Sequence, residues 1–163
     1  MIQRKVCLIG VPAVGKTSLA RRFVDGTFSE DYLTTIGVHI SRRVVEDGPD
    51  GAPLAEPVTL VVWDLNGDDD FAPLQTSYVR GAAGALLVAD GTRPETLARA
   101  LALHRRLEAE TGALPAVVCV NKRDLTGWSL DAAPPELDGY RVVATSAADG
   151  RGVAEAFAHL AAP

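Results

Sequence analysis

Cysteine is scarce in this chain, and its scarcity excludes two classes of small protein. The 163 residues contain two cysteines, Cys7 and Cys119, and both lie inside apolar runs. Because both lie inside apolar strands, they indicate neither a disulfide framework nor a metal site. We expect both to be small buried hydrophobic side chains in a reducing compartment.

An excess of basic residues is also lacking. Lys and Arg total 16 against 21 Asp and Glu, so the net charge is −5. This balance offers no electrostatic footprint for DNA, RNA or an anionic membrane. The sequence shows no signal peptide or transmembrane run, and its last residues, Ala161-Ala162-Pro163, include no cysteine for prenylation. We therefore expect a cytoplasmic protein without a lipid anchor.

The few histidines do not suggest a metal site. His39, His104 and His159 share no metal-ligand spacing, so surface or partly buried structural roles are expected for them. The length and the ordinary apolar content of 47% suit one domain that spans residues 1–163.

A phosphate-binding loop is the most informative motif present. Residues 10–17 read Gly-Val-Pro-Ala-Val-Gly-Lys-Thr and fit G-x-x-x-x-G-K-[ST]. An apolar run precedes them and apolar residues at helical spacing follow, which is the strand–loop–helix context that the motif requires. Its glycines let backbone N–H groups surround a phosphate at a helix N-terminus. Lys16 can reach the β- and γ-phosphates, and the hydroxyl of Thr17 can bind Mg²⁺.

A second motif indicates which nucleotide binds. Asn121-Lys122-Arg123-Asp124 follows the apolar run 116–120, so it lies at the carboxyl end of a strand, where open α/β sheets bind ligands. N-K-x-D at that place is the guanine-reading motif of P-loop GTPases. A carboxylate at Asp124 can accept hydrogen bonds from the N1–H and 2-amino groups of guanine. Adenine lacks this pair of donors and would leave a buried Asp124 unpaired.

A third segment also favours guanine as the bound base. Thr145-Ser146-Ala147 follows a short apolar strand, and the matching segment of GTPases presents a backbone N–H to guanine O6. The aliphatic stem of Lys122 can lie over the base, and Asn121 can tie its loop to the phosphate-binding loop.

With these motifs in order, the chain resembles a small Ras-superfamily GTPase, and its motif sequences are similar to those of the Rab branch. Thr34-Thr35-Ile36-Gly37 resembles switch I, and Trp63-Asp64-Leu65-Asn66-Gly67 resembles the W-D-x-x-G that opens switch II. Tyr78-Val79-Arg80-Gly81-Ala82 resembles the Rab stretch that leads into strand four. Phe28 lies where the family places an aromatic ring against the base. An abundance of Arg and Ala favours a bacterial member.

The resemblance implies a role for each matching position. Thr17 and Thr35 would bind Mg²⁺ directly and Asp64 would hold it through water. The N–H of Gly67 would bond the γ-phosphate, so that loss of this phosphate releases both switches. Protein regulators and effectors would bind switch I, about Phe28–Gly37, and switch II, about Asn66–Tyr78. The residues expected to contact nucleotide are Ala13, Val14, Gly15, Lys16, Thr17, Ser18, Phe28, Thr35, Gly67, Asn121, Lys122, Asp124, Ser146 and Ala147.

The catalytic centre departs from the family pattern. Lys16, Thr35, Gly67 and Asp68 are the catalytic candidates, but Asp68 stands where the family usually has a Gln that orients the attacking water. An ionised Asp is shorter, has no amide donor and adds negative charge beside the γ-phosphate. Lost positioning of this kind costs orders of magnitude in rate, so we expect slow intrinsic hydrolysis. Asp68 acting as an unorthodox base, or as one of three solvated acids in a loop, stays open.

Three functions remain. The first is a GTP-hydrolysing switch that binds GTP or GDP with Mg²⁺. The second is a pseudo-GTPase scaffold that binds guanine nucleotide without significant hydrolysis, which Asp68 favours. The third is an ATP-dependent P-loop kinase, against which the N-K-x-D motif argues strongly.

Alternating strand and helix patterns predict an α/β fold. The resemblance makes it a P-loop G domain: a six-stranded, mostly parallel sheet with one antiparallel edge strand and helices on both faces. The period-two pattern at 38–43 marks the edge strand. We also expect a hairpin loop over Glu46–Pro57, a capping box at Thr92–Glu95, and only a turn or short helix over Trp128–Asp138. The expected strands lie at about 4–9, 38–43, 58–64, 83–90, 116–121 and 140–145, and the expected helices at about 15–25, 95–110 and 153–160.

Overall fold

The computed structural model describes residues 1–28, 37–65, 67, 72–129, 131 and 133–162. The strands are β1 (Ile2–Ile9), β2 (Val38–Asp47), β3 (Pro53–Leu65), β4 (Gly84–Asp90), β5 (Ala116–Asn121) and β6 (Arg141–Ala144). The helices are α1 (Lys16–Asp25), α2 (Ala72–Val79), α3 (Glu95–Thr111) and α4 (Val153–Ala161). Short 3₁₀ turns lie at Arg123–Leu125 and Pro135–Leu137.

The six strands form one sheet in the order β2-β3-β1-β4-β5-β6. All neighbouring strands are parallel except β2, which lies antiparallel to β3 at the edge. The predicted fold class and the antiparallel edge strand are therefore confirmed.

Two apolar cores lie on the two faces of this sheet. Alternate residues of a strand point to opposite faces, and in β1 Val6 and Leu8 join the core that contains α1 and α4. Cys7 and Ile9 join the other core, with residues of α2 and α3. Helices thus cover both faces, as predicted.

The topology determines where a ligand can bind. The chain leaves β1 toward β2 and β3 on one side, whereas it leaves β4 toward β5 on the other. The connections after β1 and β4 therefore diverge, and a crevice opens outside the carboxyl ends of these two strands. The phosphate-binding loop follows β1 at this crevice.

The hairpin between β2 and β3 is shorter than the sequence predicted. The expected loop at Glu46–Pro57 shrinks to residues 48–52, because β2 continues to Asp47 and β3 begins at Pro53. Proline is tolerated at the first residue of a strand and beside a bulge. Pro53 takes the first position, and Pro57 lies where the register shifts after Val45.

The capping box predicted at Thr92–Glu95 is wrong. Helix α3 begins at Glu95 after Pro94, and no side chain caps it. The hydroxyl of Thr92 instead donates to the carboxylate of Asp90 at 2.6 Å, so it is not available to the helix. The turn is held by Thr96, whose hydroxyl donates to the carbonyl of Arg93 at 2.7 Å.

Other local predictions are confirmed. Helix α1 ends before Gly26, α3 ends before Gly112, and β5 has the predicted bounds. Cys7 and Cys119 are free and fully buried. Within the described part of residues 128–138 the structure has only short 3₁₀ segments. No helix in the described ranges is long and apolar enough to cross a lipid bilayer.

Candidate functional site

The phosphate-binding loop joins β1 to α1 and packs against the neighbouring loops. Gly15 adopts a φ of 102°, in the region that favours glycine, and a Cβ there would overlap the side-chain nitrogen of Asn121. Ala13 also has a positive φ, 64°, which costs a residue with a Cβ about 1 kcal/mol. The loop therefore holds a strained conformation that its surroundings must support.

Lys16 lies at the centre of this loop. Its ammonium donates to the carbonyls of Gly10 at 2.9 Å and Val11 at 3.0 Å, and the residue is only 7% exposed. A buried ammonium is costly unless it is hydrogen-bonded. The loop therefore concentrates a positive charge where an anion would lie.

Thr17 and Asp64 form the adjoining part of the site. The Thr17 hydroxyl donates to Oδ2 of Asp64, while Oδ1 of the same carboxyl is buried and has no hydrogen-bond partner among the described residues. Burial raises the pKa of Asp64, and the hydrogen bond from Thr17 and the charge of Lys16 oppose this. An unsatisfied buried carboxylate oxygen beside a hydroxyl is a set of hard oxygen donors that fits Mg²⁺.

Gly67 closes the site from the side of β3. A Cβ at this position would lie 2.6 Å from the carbonyl oxygen of Gly10 and 2.8 Å from both Pro12 N and Lys16 Nζ. These distances leave no room for any side chain. Gly67 therefore brings its backbone directly against the phosphate-binding loop.

Asn121 and its neighbours connect this loop to the segments after β5 and β6. The Asn121 amide donates to the carbonyl of Val14 at 3.0 Å, and its oxygen accepts from the hydroxyl of Thr145 at 3.1 Å. Lys122 has a φ of 66° and donates to the carbonyl of Ala13 at 3.1 Å. Three separate loops thus form one connected rim at the carboxyl end of the sheet.

Asp124 and Ser146 face each other on this rim. The Ser146 hydroxyl donates to Oδ1 of Asp124 at 3.0 Å and accepts from the N–H of Asp149 at 3.1 Å. The side chain of Asp124 is exposed. Its carboxylate lies at the mouth of the site, so it would be desolvated only when a base covers it.

Sequence reasoning missed Asp90, the last residue of β4. Its buried carboxylate accepts from Lys122 at 2.8 Å, from Arg93 at 3.1 Å, and from the N–H and hydroxyl of Thr92. Burial raises the pKa of Asp90, but these hydrogen bonds outweigh it and lower the pKa to about 2. The signal available in the sequence was an acid at the end of an apolar strand, which places it at the ligand-binding edge.

Arg22 was missed as well. From α1 its guanidinium donates to the carbonyls of Ala147 at 2.8 Å and Ala148 at 2.6 Å. These contacts fix the loop after β6 against the helix that follows the phosphate-binding loop. No local pattern indicates them, because the partners are more than 120 residues apart in sequence.

The remaining predicted residues lie around this rim or outside the described part of the chain. Ser18 is in the first turn of α1, and Phe28 is 39% exposed shortly after that helix. Thr35 and Asp68 lie outside the described residues, as does much of both switch segments. The predicted residues that the structure does bring together are Ala13, Val14, Gly15, Lys16, Thr17, Asp64, Gly67, Asn121, Lys122, Asp124, Ser146 and Ala147.

The chain is similar to one family of protein domains and to curated proteins of the Ras-related group. The family model described as "Ras of Complex, Roc, domain of DAPkinase" matches residues 5–124. Ras-related protein Rab-4B of Rattus norvegicus, Homo sapiens and Mus musculus is 39% identical over 124 residues, which are 74% of this chain and 54% of those proteins. The chain thus spans about half the length of the curated relatives it matches.

Proposed function

We propose that this chain, which belongs to the Ras of Complex family of Ras-like GTPase domains, is a guanine-nucleotide switch. It binds GTP or GDP with Mg²⁺ and hydrolyses GTP slowly. The connected rim supports this most directly. Val14 of the phosphate-binding loop is hydrogen-bonded to Asn121, and Asp124 to Ser146. A phosphate-binding element and a base-binding element are therefore held at a fixed separation.

The phosphates would bind within residues 13–18. Backbone N–H groups and the N-terminus of α1 favour an anion there, and Lys16 adds a full positive charge. Thr17 would bind Mg²⁺ directly and Asp64 would hold it through water, with Thr35 as a further ligand. The bound cation would supply positive charge that compensates the phosphate oxygens.

The guanine base would lie over the exposed carboxylate of Asp124. That carboxylate would accept two hydrogen bonds, from N1–H and the 2-amino group, while the segment Ser146-Ala147 presents a backbone N–H to O6. The stem of Lys122 and the ring of Phe28 would cover the faces of the base. Arg22 supports this arrangement, because it fixes the carbonyls of Ala147 and Ala148.

Switching would depend on Gly67 and Thr35. The backbone of Gly67 lies close to Lys16 Nζ, so a γ-phosphate bound by Lys16 would be within reach of the Gly67 N–H. Loss of that phosphate would release Gly67 and Thr35 together, and protein partners would read the change through switches I and II. Trp63 and Tyr78, with ring centroids 5.9 Å apart, would contribute to the partner surface at switch II.

Hydrolysis would be slow because Asp68 has no amide to orient water and adds negative charge. The alternative is a scaffold that holds guanine nucleotide without turning it over, and the same residue favours it. Both functions require nucleotide binding, so only turnover separates them.

A single-turnover experiment tests the proposal. The purified protein is loaded with GTP and Mg²⁺, and the bound nucleotide is followed by chromatography, with Asp70→Gln as the matched control for Asp68→Gln. GDP that appears over minutes to hours would establish a self-timed GTPase. Faster hydrolysis in Asp68→Gln would support the account that the missing amide makes hydrolysis slow. Hydrolysis that collapses in Asp68→Gln would make Asp68 a working catalytic group. Persistent GTP in the wild type would favour the scaffold, and failure to bind GTP would refute both.

A further inference from the structure

Three consecutive carbonyls of the phosphate-binding loop are held by side chains from other parts of the sheet. The carbonyl of Pro12 accepts from Arg93 at 3.2 Å, that of Ala13 from Lys122 at 3.1 Å, and that of Val14 from Asn121 at 3.0 Å. Asn121 is the last residue of β5, Lys122 follows it, and Arg93 lies between β4 and α3, so all three reach the loop from the side of β4 and β5.

The direction of these carbonyls determines the direction of the next amides. A trans peptide is planar, and its C=O and N–H point in opposite directions. A carbonyl held toward Arg93, Lys122 or Asn121 therefore turns the N–H of residue 13, 14 or 15 the other way, into the loop. Within the described part of the chain, no backbone carbonyl accepts from the N–H of Ala13.

Asp90 connects two of these three contacts. Its Oδ2 accepts from both Lys122 and Arg93, at 2.8 and 3.1 Å. Because both cations are bound to one buried carboxylate, their positions are coupled, and so are the carbonyls of Pro12 and Ala13. Ala13 and Lys122, which contact each other here, are also the two described non-glycine residues with positive φ.

We propose that Asp90 and Arg93 are positioning residues that orient the amides of the phosphate-binding loop toward the nucleotide phosphates. Arg93 acts on the Pro12–Ala13 peptide, and Asp90 holds Arg93 and Lys122 in place. This rests on the proposed nucleotide binding. GTP and GDP binding should also differ in their dependence on Arg93. Pro12 lies beside Gly67, so Arg93 affects the end of the loop that would face the γ-phosphate.

Loss of Arg93 should therefore affect GTP more than GDP. In Arg93→Ala the Pro12 carbonyl loses a charged donor, and the Ala13 amide is free to rotate away from the γ-phosphate end. A charge-assisted hydrogen bond is worth roughly a tenfold change in an equilibrium constant. We expect GTP to dissociate about tenfold faster and GDP about twofold faster than from the wild type. In Asp90→Asn both nucleotides should dissociate faster, since both cations lose their anchor.

The experiment measures dissociation of fluorescent GTP and GDP analogues by stopped flow, together with ¹⁵N spectra of the GDP complexes. Arg105→Ala is the matched control, because Arg105 is an exposed arginine of α3, the helix that follows Arg93. Arg93→Lys should restore little of the slow GTP dissociation that Arg93→Ala loses, because one ammonium replaces the planar fork that reaches both Asp90 and Pro12. We expect the ¹⁵N chemical shift of the Ala13 amide to change in Arg93→Ala and to stay unchanged in Arg105→Ala.

Two results would overturn the proposal. One is an Arg93→Ala variant whose GTP and GDP dissociation rates both stay within about twofold of the wild type. The other is an equal acceleration of GTP and GDP dissociation with an unchanged chemical shift of the Ala13 amide. That result would indicate a purely structural role for Arg93. A wild-type protein that binds neither nucleotide would instead refute the proposed function, and this inference with it. Arg93 is partly exposed, so its variants test the idea even where Asp90→Asn does not fold.

Discussion

Phe23 and Phe157 stack face to face between α1 and α4, with ring centroids 3.9 Å apart and planes 5° apart. Helix α1 begins at the phosphate-binding loop, and α4 follows the segment that contains Ser146. Both rings are buried in the same core beneath the sheet. The stack therefore joins the helix that follows the phosphate-binding loop to the helix that follows the segment containing Ser146.

Removing one of these rings should destabilise the protein strongly. Phe157→Ala leaves a cavity at a fully buried position, and we expect the free energy of unfolding to fall by about 3–5 kcal/mol. Urea denaturation followed by circular dichroism measures this. Leu125→Ala, at a site 69% exposed, should change the same quantity by less than about 0.5 kcal/mol. Equal effects of the two variants would contradict the described packing.

Removal of divalent cations should release nucleotide. Asp64 has a buried oxygen without a hydrogen-bond partner among the described residues, and an outer ligand of this kind typically contributes about 10–100-fold to metal affinity. We expect EDTA to accelerate GDP dissociation from the wild type by at least tenfold. Asp64→Asn should release GDP rapidly with or without EDTA. Asp138→Asn, at an exposed carboxylate, should keep the wild-type response, and an Asp64→Asn variant that also keeps it would exclude this metal site.

The base should be recognised through its 2-amino group. Inosine nucleotides lack this group, so one of the two hydrogen bonds to Asp124 is lost, at a cost of about 1.5–3 kcal/mol for a charged acceptor. Competition binding should therefore favour GDP over IDP by about 10–100-fold. In Asp124→Ala this preference should largely disappear, whereas Glu136→Gln should retain it. A wild-type protein with no preference would argue against the proposed base contact.

The two thiols should resist modification and alkali in the folded state. Burial raises the pKa of Cys7 and of Cys119 to about 12, from an ordinary value of 9.0. A raised pKa means that the folded state keeps its protons where the unfolded state loses them. These thiols thus favour folding fully below pH 9, and that contribution is lost as the pH rises toward 12.

Thiol labelling and alkaline denaturation measure this. At pH 8 a disulfide reagent should label both cysteines slowly in the folded protein and within seconds in denaturant, because the thiolate is the reactive form. Between pH 9 and 12 the free energy of unfolding should fall. A Cys7→Ala, Cys119→Ala double variant should lose less of its stability over this interval. Rapid labelling of both thiols under native conditions would contradict their burial.

Much of the fold could be predicted because it depends on local patterns. The glycines and Lys16 of the phosphate-binding loop, the apolar run of β4 and the bounds of β5 are read from short stretches of chain. The contacts of Asp90 with Lys122, of Arg93 with Pro12 and of Arg22 with Ala147 could not be predicted. They depend on which loops meet at the crevice, and that follows only from the order of strands in the sheet.

The two wrong local predictions have a common cause. Thr92 matched a capping pattern, but its hydroxyl had a stronger acceptor in the nearby carboxylate of Asp90. Pro53 and Pro57 suggested a long loop, but each lies where the β ladder needs no N–H. For Thr92 a carboxylate two residues away, and for the prolines the pairing of β3 with β2, outweighed the pattern that the sequence suggested.

Strand β2 lies at the edge of the sheet, and its exposed side chains include Arg42, Arg43, Glu46 and Asp47. An edge strand carries backbone groups that can pair with the edge of another molecule, and charged side chains along it discourage such pairing. We expect these charged residues to disfavour extended intermolecular sheets in concentrated protein. Charges that oppose edge-to-edge pairing therefore lie on the strand that leads into β3, which carries Asp64.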